Sequence, residues 1–199
     1  MGAGLHARPD DADARLVGVL RLLNALIGIR LRSVSDPESR RHLNWLNDII
    51  AAVGLLSQRL ATGRLTDFTA YLASAVEFWS RGDADRQITL TAPSQPVSLG
   101  DLRAACLAII AHELIGAAVA RPRRPDGVGE VSVRIEQSSH EVRLTVEGDG
   151  GEVTEATEES LELVRGLAEH LGGSIEVTAN GRRSICVILS AERARAPRH

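Results

Sequence analysis

The sequence predicts an α+β fold in which an N-terminal antiparallel helical hairpin precedes a mixed unit of strands and helices. Three observations carry that prediction. Residues 14–33 and about 38–61 each repeat apolar side chains at helical spacing, with only the turn SVSDPE between them. Residues 130–136 and 141–147 alternate apolar and polar positions, as half-buried strands do. Asn180-Gly181 separates two further short runs and is a strong signal for a tight hairpin.

In the first helix Leu16, Leu20, Leu23, Ile27 and Leu31 form one stripe, and Val19, Leu22, Leu26 and Ile29 form a second beside it. Two adjacent stripes are wider than one partner helix covers. The remaining face carries Gly18, Arg21, Ala25, Gly28 and Arg32. Asp36 and Pro37 fit the N-cap and first turn of the second helix, whose apolar side holds Leu43, Leu46, Ile49, Ile50, Val53, Leu56 and Leu60. A hairpin with this much apolar surface is poorly buried alone. Two copies would close it as a four-helix bundle, so a homodimer is expected, with Leu16, Leu20, Leu23, Ile27, Leu46, Ile50 and Val53 at its interface. The alternative is that both stripes pack inside one chain, one on the second helix and one on the C-terminal unit.

Thr62 to Arg64 end the hairpin, and LTDFTAYLASAVEFW begins a third helix capped by Thr66 or Asp67. The domain boundary falls near the polar connection Arg81 to Arg86. The expected organisation is a disordered tail over 1–13, the hairpin over 14–63, a linker helix and connection over 64–86, the α/β unit over 87–191 and a loose tail over 192–199. Beyond a strand near 87–91 and a Pro-rich turn comes Leu102 to Val119, read as a largely buried helix. Leu102, Cys106, Ile109, Ile110 and Leu114 recur at helical spacing there, and Asp101 stands at the N-cap position. In the paired strands Val131, Val133 and Ile135 share a face with Val142, Leu144 and Val146. A helix at about 158–171 ends on Gly172 and Gly173, and strands 174–178 and 184–190 close the fold.

Composition narrows the function classes. With 199 residues and 44% hydrophobic content the chain can bury a substantial core, and with only 3% aromatic residues aliphatic side chains must fill it. Lys+Arg 23 against Asp+Glu 26 gives no clustered basic excess, so no nucleic-acid partner is expected. Cys106 and Cys186 sit in apolar runs and read as small buried hydrophobes of a reducing compartment. The acidic start lacks the flank of a signal peptide, and Arg21 and Arg30 interrupt the run from Leu16 to Leu31, so no membrane partner and a cytoplasmic location are expected. No cluster of His, Cys and acid has metal-ligand spacing, and His140 and His170 read as surface residues.

Within the central helix His112 and Glu113 lie in a buried run, where an imidazole and a carboxylate must find partners or lose their charge. A satisfied core pair is one explanation. A second comes from the segment AHELIGAA, which resembles the N-box of the HWE-type sensor histidine kinases: His-Glu-Leu, two residues, Asn-Ala. His112, Glu113, Leu114 and Ala118 match it, and Ala117 stands where that family has its metal-binding Asn. The DPES turn between two long helices is similar to the dimerisation and phosphoacceptor hairpin of the same group. The order of later elements resembles the GHKL ATPase α/β sandwich.

The resemblance implies which residues should do chemistry, and several are missing. The family's phosphoacceptor His would fall near Ala14 or Arg15, and no histidine lies between His6 and His42. His42 follows Glu38 at (i, i+4) spacing, which can orient an imidazole, and it is the one candidate acceptor; otherwise it is a solvated residue. The next box, Trp-x-Glu-x-Gly-Gly in the family, corresponds to Val146, Glu147, Gly148, Asp149, Gly150 and Gly151. The glycine pair is kept and the Trp and Glu are lost, though a one-residue shift would offer Asp149 as the acceptor from the adenine amine. The phosphate-loop Gly-x-Gly falls on Glu158, Glu159 and Ser160, and two carboxylates repel a polyphosphate. The lid is short. Arg121, Arg123 and Arg124 could compensate, and read first as an exposed loop.

Taken with the resemblance, these losses imply a catalytically degenerate histidine-kinase-like protein with a vestigial pocket at His112, Glu113, Ala117, Gly148, Asp149, Gly150, Gly151, Glu158 and Glu159. No catalytic residue, no metal and no ATP or magnesium cofactor is expected. The implied role is a dimeric adaptor or scaffold of two-component signalling that binds a response-regulator receiver domain, with Arg21 and Arg32 on the accepting face. The alternatives are a histidine phosphotransferase using His42, and an ATP-binding HWE-type kinase with divergent boxes. In relatives the sensing region is usually attached or membrane-bound, and no such region is expected here.

Overall fold

The structure, a computed structural model, describes residues 9–57, 65–82, 86–120, 129–149, 155–180 and 182–190. The turn at Thr62 to Arg64, the basic loop with Arg121, Arg123 and Arg124, Gly150, Gly151 and the tail 192–199 lie outside the described residues, as do the side chains of Leu16 and Asp149.

Two helices open the chain, α1 (Pro9–Ser33) and α2 (Pro37–Ser57). The first begins at Pro9, inside the segment expected to be loose, because proline's fixed φ suits the first helical position. Asp36 caps α2 as the sequence predicts: its Oδ2 accepts from the Ser39 N–H at 2.8 Å, and Pro37 follows as the first helical residue. The two helices pack on each other, Leu20 lying 4.0 Å from where a Cβ on Gly54 would stand.

A two-residue strand β1 (Thr66–Asp67) leads into α3 (Phe68–Gly82), and Asp67 Oδ1 caps that helix through the Ala70 N–H at 3.0 Å. Then come β2 (Arg86–Thr91), β3 (Ser98–Leu99) and the central helix α4 (Asp101–Val119). The strands β1 and β3 pair antiparallel, a ribbon that two-residue strands leave too little periodicity to announce. After α4 follow β4 (Gly129–Gln137), β5 (Glu141–Asp149), α5 (Glu155–His170), β6 (Ser174–Asn180) and β7 (Arg182–Ser190). Five strands form one mixed sheet in the order β2-β4-β5-β7-β6, with β2 parallel to β4 and every other pair antiparallel.

One face of the sheet is the core. Val131, Val133, Ile135, Val142, Leu144, Val146, Ile185, Val187 and Leu189 are buried, while their neighbours along each strand are less so, the period-2 pattern read from the sequence. The helix α4 touches α2, α3, α5, β4 and β5, so it is the hub on which the layers meet. Cys106, on α4 itself, is buried and burial pushes its thiol up; Cys186 is half-buried, and neither is disulfide-bonded. Two expectations for α4 fail at its start. Gly100 is the N-cap and makes no side-chain cap bond, with Asp101 the first helical residue, and Leu102 is 64% exposed because the first turn projects past the layers beneath it. Further along, α4 is the one described helix long and apolar enough to cross a bilayer, and 61% of its apolar window is buried inside the fold.

At the other end of the sheet α5 stops in a Schellman motif. The Gly173 N–H donates to Ala168 O at 2.8 Å and the Gly172 N–H to Glu169 O at 2.9 Å. Gly172 has φ 70°, and a Cβ on Gly173 would lie 2.3 Å from Ile188 O, so both glycines are required where the sequence places them.

Candidate functional site

Successive positions on a helix point about 100° apart, so His112 and Glu113 face different neighbours although both are buried in the second half of α4. Glu113 is 7% exposed, and a carboxylate so placed needs donors. It has two. Trp45 Nε1 on α2 donates to Oε1 at 2.7 Å, and Ser160 Oγ on α5 donates to Oε2 at 2.9 Å. One carboxylate therefore joins three helices. Asp48 stands one turn after Trp45 on the same face of α2, half-buried, and its carboxyl is held above the usual range by burial and then by the charge of Glu113.

His112 is 8% exposed, and burial lowers its pKa to about 4, so the imidazole is neutral at neutral pH. Its ring lies 4.9 Å from the Trp79 ring, centroid to centroid. The same Trp79 packs on Gly116, where a Cβ would come within 3.1 Å of the indole, so the small residue in α4 makes room for the large one in α3. Together His112 and Trp79 form part of the wall of a pocket of about 200 Å³ between α1, α2, α3 and α4.

On the side of α4 toward β5, Ala118 sits 3.2 Å from where a Cβ on Gly148 would be, so Gly148 lets helix and strand meet closely. Arg86 on β2, 7% exposed, donates from Nη1 to Ala118 O at 2.8 Å, satisfying one of the carbonyls left open at the end of α4. Arg183 lies in register opposite Gly148, 8% exposed, with Nη1 lacking a hydrogen-bond partner. Ala117 is half-buried on α4 and offers no side-chain oxygen.

Glu158, Glu159 and Ser160, aligned above with a phosphate loop, lie within the helix α5, which starts at Glu155 and not at Glu158. Glu158 and Glu159 are exposed and only Ser160 turns inward. Within α5 the N–H groups from Glu159 onward are positioned for i→i−4 bonds and make no loop cradle. The structure thus gathers Glu113, Ala117 and Gly148 around α4, leaves Glu158 and Glu159 at the surface, and separates His112 onto the far wall. His42 is exposed on α2, remote in the chain from this cluster; the Asp36 carboxyl is held below its usual range by its hydrogen bonds to Ser39 and, least of all, by the nearby His42. Among the described residues no group of three or more His, Cys, Asp and Glu is placed to hold a metal ion.

Of the residues expected at a dimer interface, Leu23 and Leu46 are exposed, whereas Leu20, Ile27, Ile50 and Val53 are partly buried within the chain. The second stripe of α1 is the barer one: Val19, Leu22, Leu26 and Ile29 are each more than half exposed, so among the described residues it is not covered by the C-terminal unit. Trp45 and Asp48 were not singled out for a role by the sequence, and Ser160 was read only as a phosphate-loop position, not as a donor to Glu113. The one signal was the (i, i+3) placement of an indole and a carboxylate on a helix predicted to face inward.

A buried N-box-like helix over a five-stranded mixed sheet, with two long helices ahead of it, defines a histidine-kinase-like GHKL fold. Solved structures agree. The chain is similar to the blue-light activated histidine kinase EL346 of Erythrobacter litoralis, with a TM-score of 0.70 at 20% identity over 95% of this chain and 62% of that one. It therefore spans less than two thirds of that protein. The histidine kinase domain of the same protein gives a TM-score of 0.66 at 19% identity, covering 90% of this chain and 94% of the domain. Acinetobacter baumannii histidine kinase AdeS gives 0.54 at 18% identity, covering 87% of this chain and 98% of that one. No protein-family model and no curated sequence matches the chain.

Proposed function

We propose that this chain is a catalytically degenerate histidine-kinase-like protein of two-component signalling, a dimeric adaptor that binds a response-regulator receiver domain and performs no ATP-dependent autophosphorylation. The observation that carries the proposal is the state of the ATP-site positions. Ala117 supplies no oxygen where a magnesium ligand is needed, and the residues aligned with the phosphate loop are helical, with Glu158 and Glu159 in place of glycines. Magnesium-bound polyphosphate needs oxygen ligands and a run of free N–H groups, and these residues do not fit it. Glu113, the remaining acid of the box, already accepts from Trp45 and Ser160.

What these losses leave intact is the surface of α1 and α2. Val19, Leu22, Leu26, Ile29 and Leu46 expose an apolar band suited to a second copy, giving a four-helix bundle. The exposed face with Arg21 and Arg32 suits an acidic partner surface. The test is calorimetric titration with ATP and a non-hydrolysable analogue, with and without magnesium, followed by titration with receiver domains. No nucleotide binding and a saturable receiver complex are expected; magnesium-dependent micromolar nucleotide binding would overturn the degenerate reading and return the kinase.

A second reading has one observation in its favour. His42 is exposed on α2 with Asp36 near it and Glu38 one turn before it, an arrangement that could accept a phosphoryl group as a phosphotransferase does. Acid-labile label transferred from a phosphorylated receiver, and lost in His42→Gln, would select it over the adaptor.

A further inference from the structure

The four side chains that α1 leaves more than half exposed, Val19, Leu22, Leu26 and Ile29, are spaced three, four and three residues apart. That spacing is the a and d seam of a heptad repeat. It matches one helix lying nearly along α1, and it matches a sheet or a loop poorly. Among the described residues α2 packs along α1 and leaves the seam bare. Two small residues one heptad apart, Gly18 and Ala25, stand exposed beside it. A glycine inside a helix weakens it, and a Cβ on Gly18 would meet nothing within 4 Å, so packing among the described residues does not call for it.

Charge along α1 is distributed by end. Its first two turns contain Asp10, Asp11 and Asp13 against Arg15, three acids and one base, a net of −2. Its last turn contains Arg30 and Arg32, a net of +2.

We propose that α1 pairs antiparallel with α1 of a second copy, about a twofold axis that crosses it midway between Leu22 and Leu26. The proposal rests on the dimeric reading above and adds which helix forms the seam and in which direction it runs. In this register Val19 meets Ile29 of the other copy and Leu22 meets Leu26, and the twofold repeats both layers. The two Ala25 residues meet beside the axis, where a small side chain lets the backbones close. Gly18 comes level with the last turn of the other copy and leaves room for its long side chains. The acidic start of each helix lies toward the basic end of its partner. A parallel pair would set like charge against like at both ends. The antiparallel pair also sends the two SVSDPE turns to opposite ends of the bundle, so each end presents the α2 start of one copy alone.

The test uses the full chain carrying Cys186→Ser, which leaves the buried Cys106 as the one native thiol. Val19→Cys and Ile29→Cys are made separately in that background and treated with a short bismaleimide, each alone and then as an equimolar mixture. In the antiparallel register residue 19 of one copy is level with residue 29 of the other, while the same residue in the two copies is about 15 Å apart along the axis. A band of twice the chain mass is therefore expected in the mixture and in neither variant alone. Self-linking of both variants would show a parallel pair, overturning the orientation while the dimer stands. Absence of links in a chain that sediments as a dimer would place the interface elsewhere. A wild-type chain that sediments as a monomer would overturn the dimeric reading and this one with it. A second measurement needs no cysteine: Arg30→Glu takes the last turn from +2 to zero, and the dimer dissociation constant should rise about fivefold. An unchanged constant, or the fall that a parallel pair requires, would overturn the proposal.

Discussion

The helices α1 and α4 are both long and rich in aliphatic residues, and the fold treats them in opposite ways. Along α4, Leu107, Ile110 and Ile115 have no exposed surface, because α2, α3, α5 and the sheet surround it. Along α1, four aliphatic side chains stay more than half exposed, because α2 covers one side and nothing among the described residues covers the next. An apolar repeat therefore states only that burial is sought. Whether it is found depends on how many layers the rest of the chain supplies.

Four experiments would break or sharpen that contrast. The largest effect is expected in α4, where Leu114→Ala should cost about 2–5 kcal/mol by urea denaturation. An equal loss from Leu22→Ala on α1 would break the comparison. Next comes acid. Unfolded His112 titrates near 6.5 and folded His112 at about 4, so the folded state binds fewer protons. Stability is then full above pH 6.5 and falls by roughly 3 kcal/mol as pH drops toward 4. Asp48 acts with the opposite sign, since its carboxyl is raised and its protonation favours the fold, so part of the loss is offset. Replacing the imidazole in His112→Leu should flatten the curve measured between pH 7 and 4; an unchanged slope would assign the acid sensitivity elsewhere. Third, Trp45→Phe leaves Glu113 with one donor and should cost about 1–3 kcal/mol although the indole is 41% exposed. Smallest, Leu22→Ser with Leu26→Ser should change chain stability by under about 0.5 kcal/mol, while sedimentation velocity moves from dimer to monomer. A wild-type chain that sediments as a monomer would assign the band on α1 to another partner.

The order of the longer elements was legible because each has a local signature. Strands β4 and β5 alternate, Asp36-Pro37 starts α2, and Gly172-Gly173 ends α5, and all of these need only near neighbours. The site was legible in part. His112 and Glu113 could be marked as costly inside an apolar run, but which residue answers a buried carboxylate is decided by packing between helices far apart in sequence. Trp45 and Ser160 are 68 and 47 residues from Glu113. Leu102 was misplaced for a related reason: spacing assigns it to the buried stripe, and only the extent of the layers below shows that the first turn overhangs. Glu158 to Ser160 were read both as the start of a helix and, by alignment, as a phosphate loop, and the structure keeps the helix.

The carboxylate of Glu113 has a consequence for motion. Its two oxygens are shared between α2 and α5, so withdrawing either helix leaves a charged oxygen in a dry place with half its solvation gone. The positions of the two helices are then thermodynamically linked, and the linkage is reciprocal. Anything that rotates α2 loosens the start of α5, and anything that seats α5 tightens the grip on α2. That one side chain gives α2 and α5 each a means to register what touches the other.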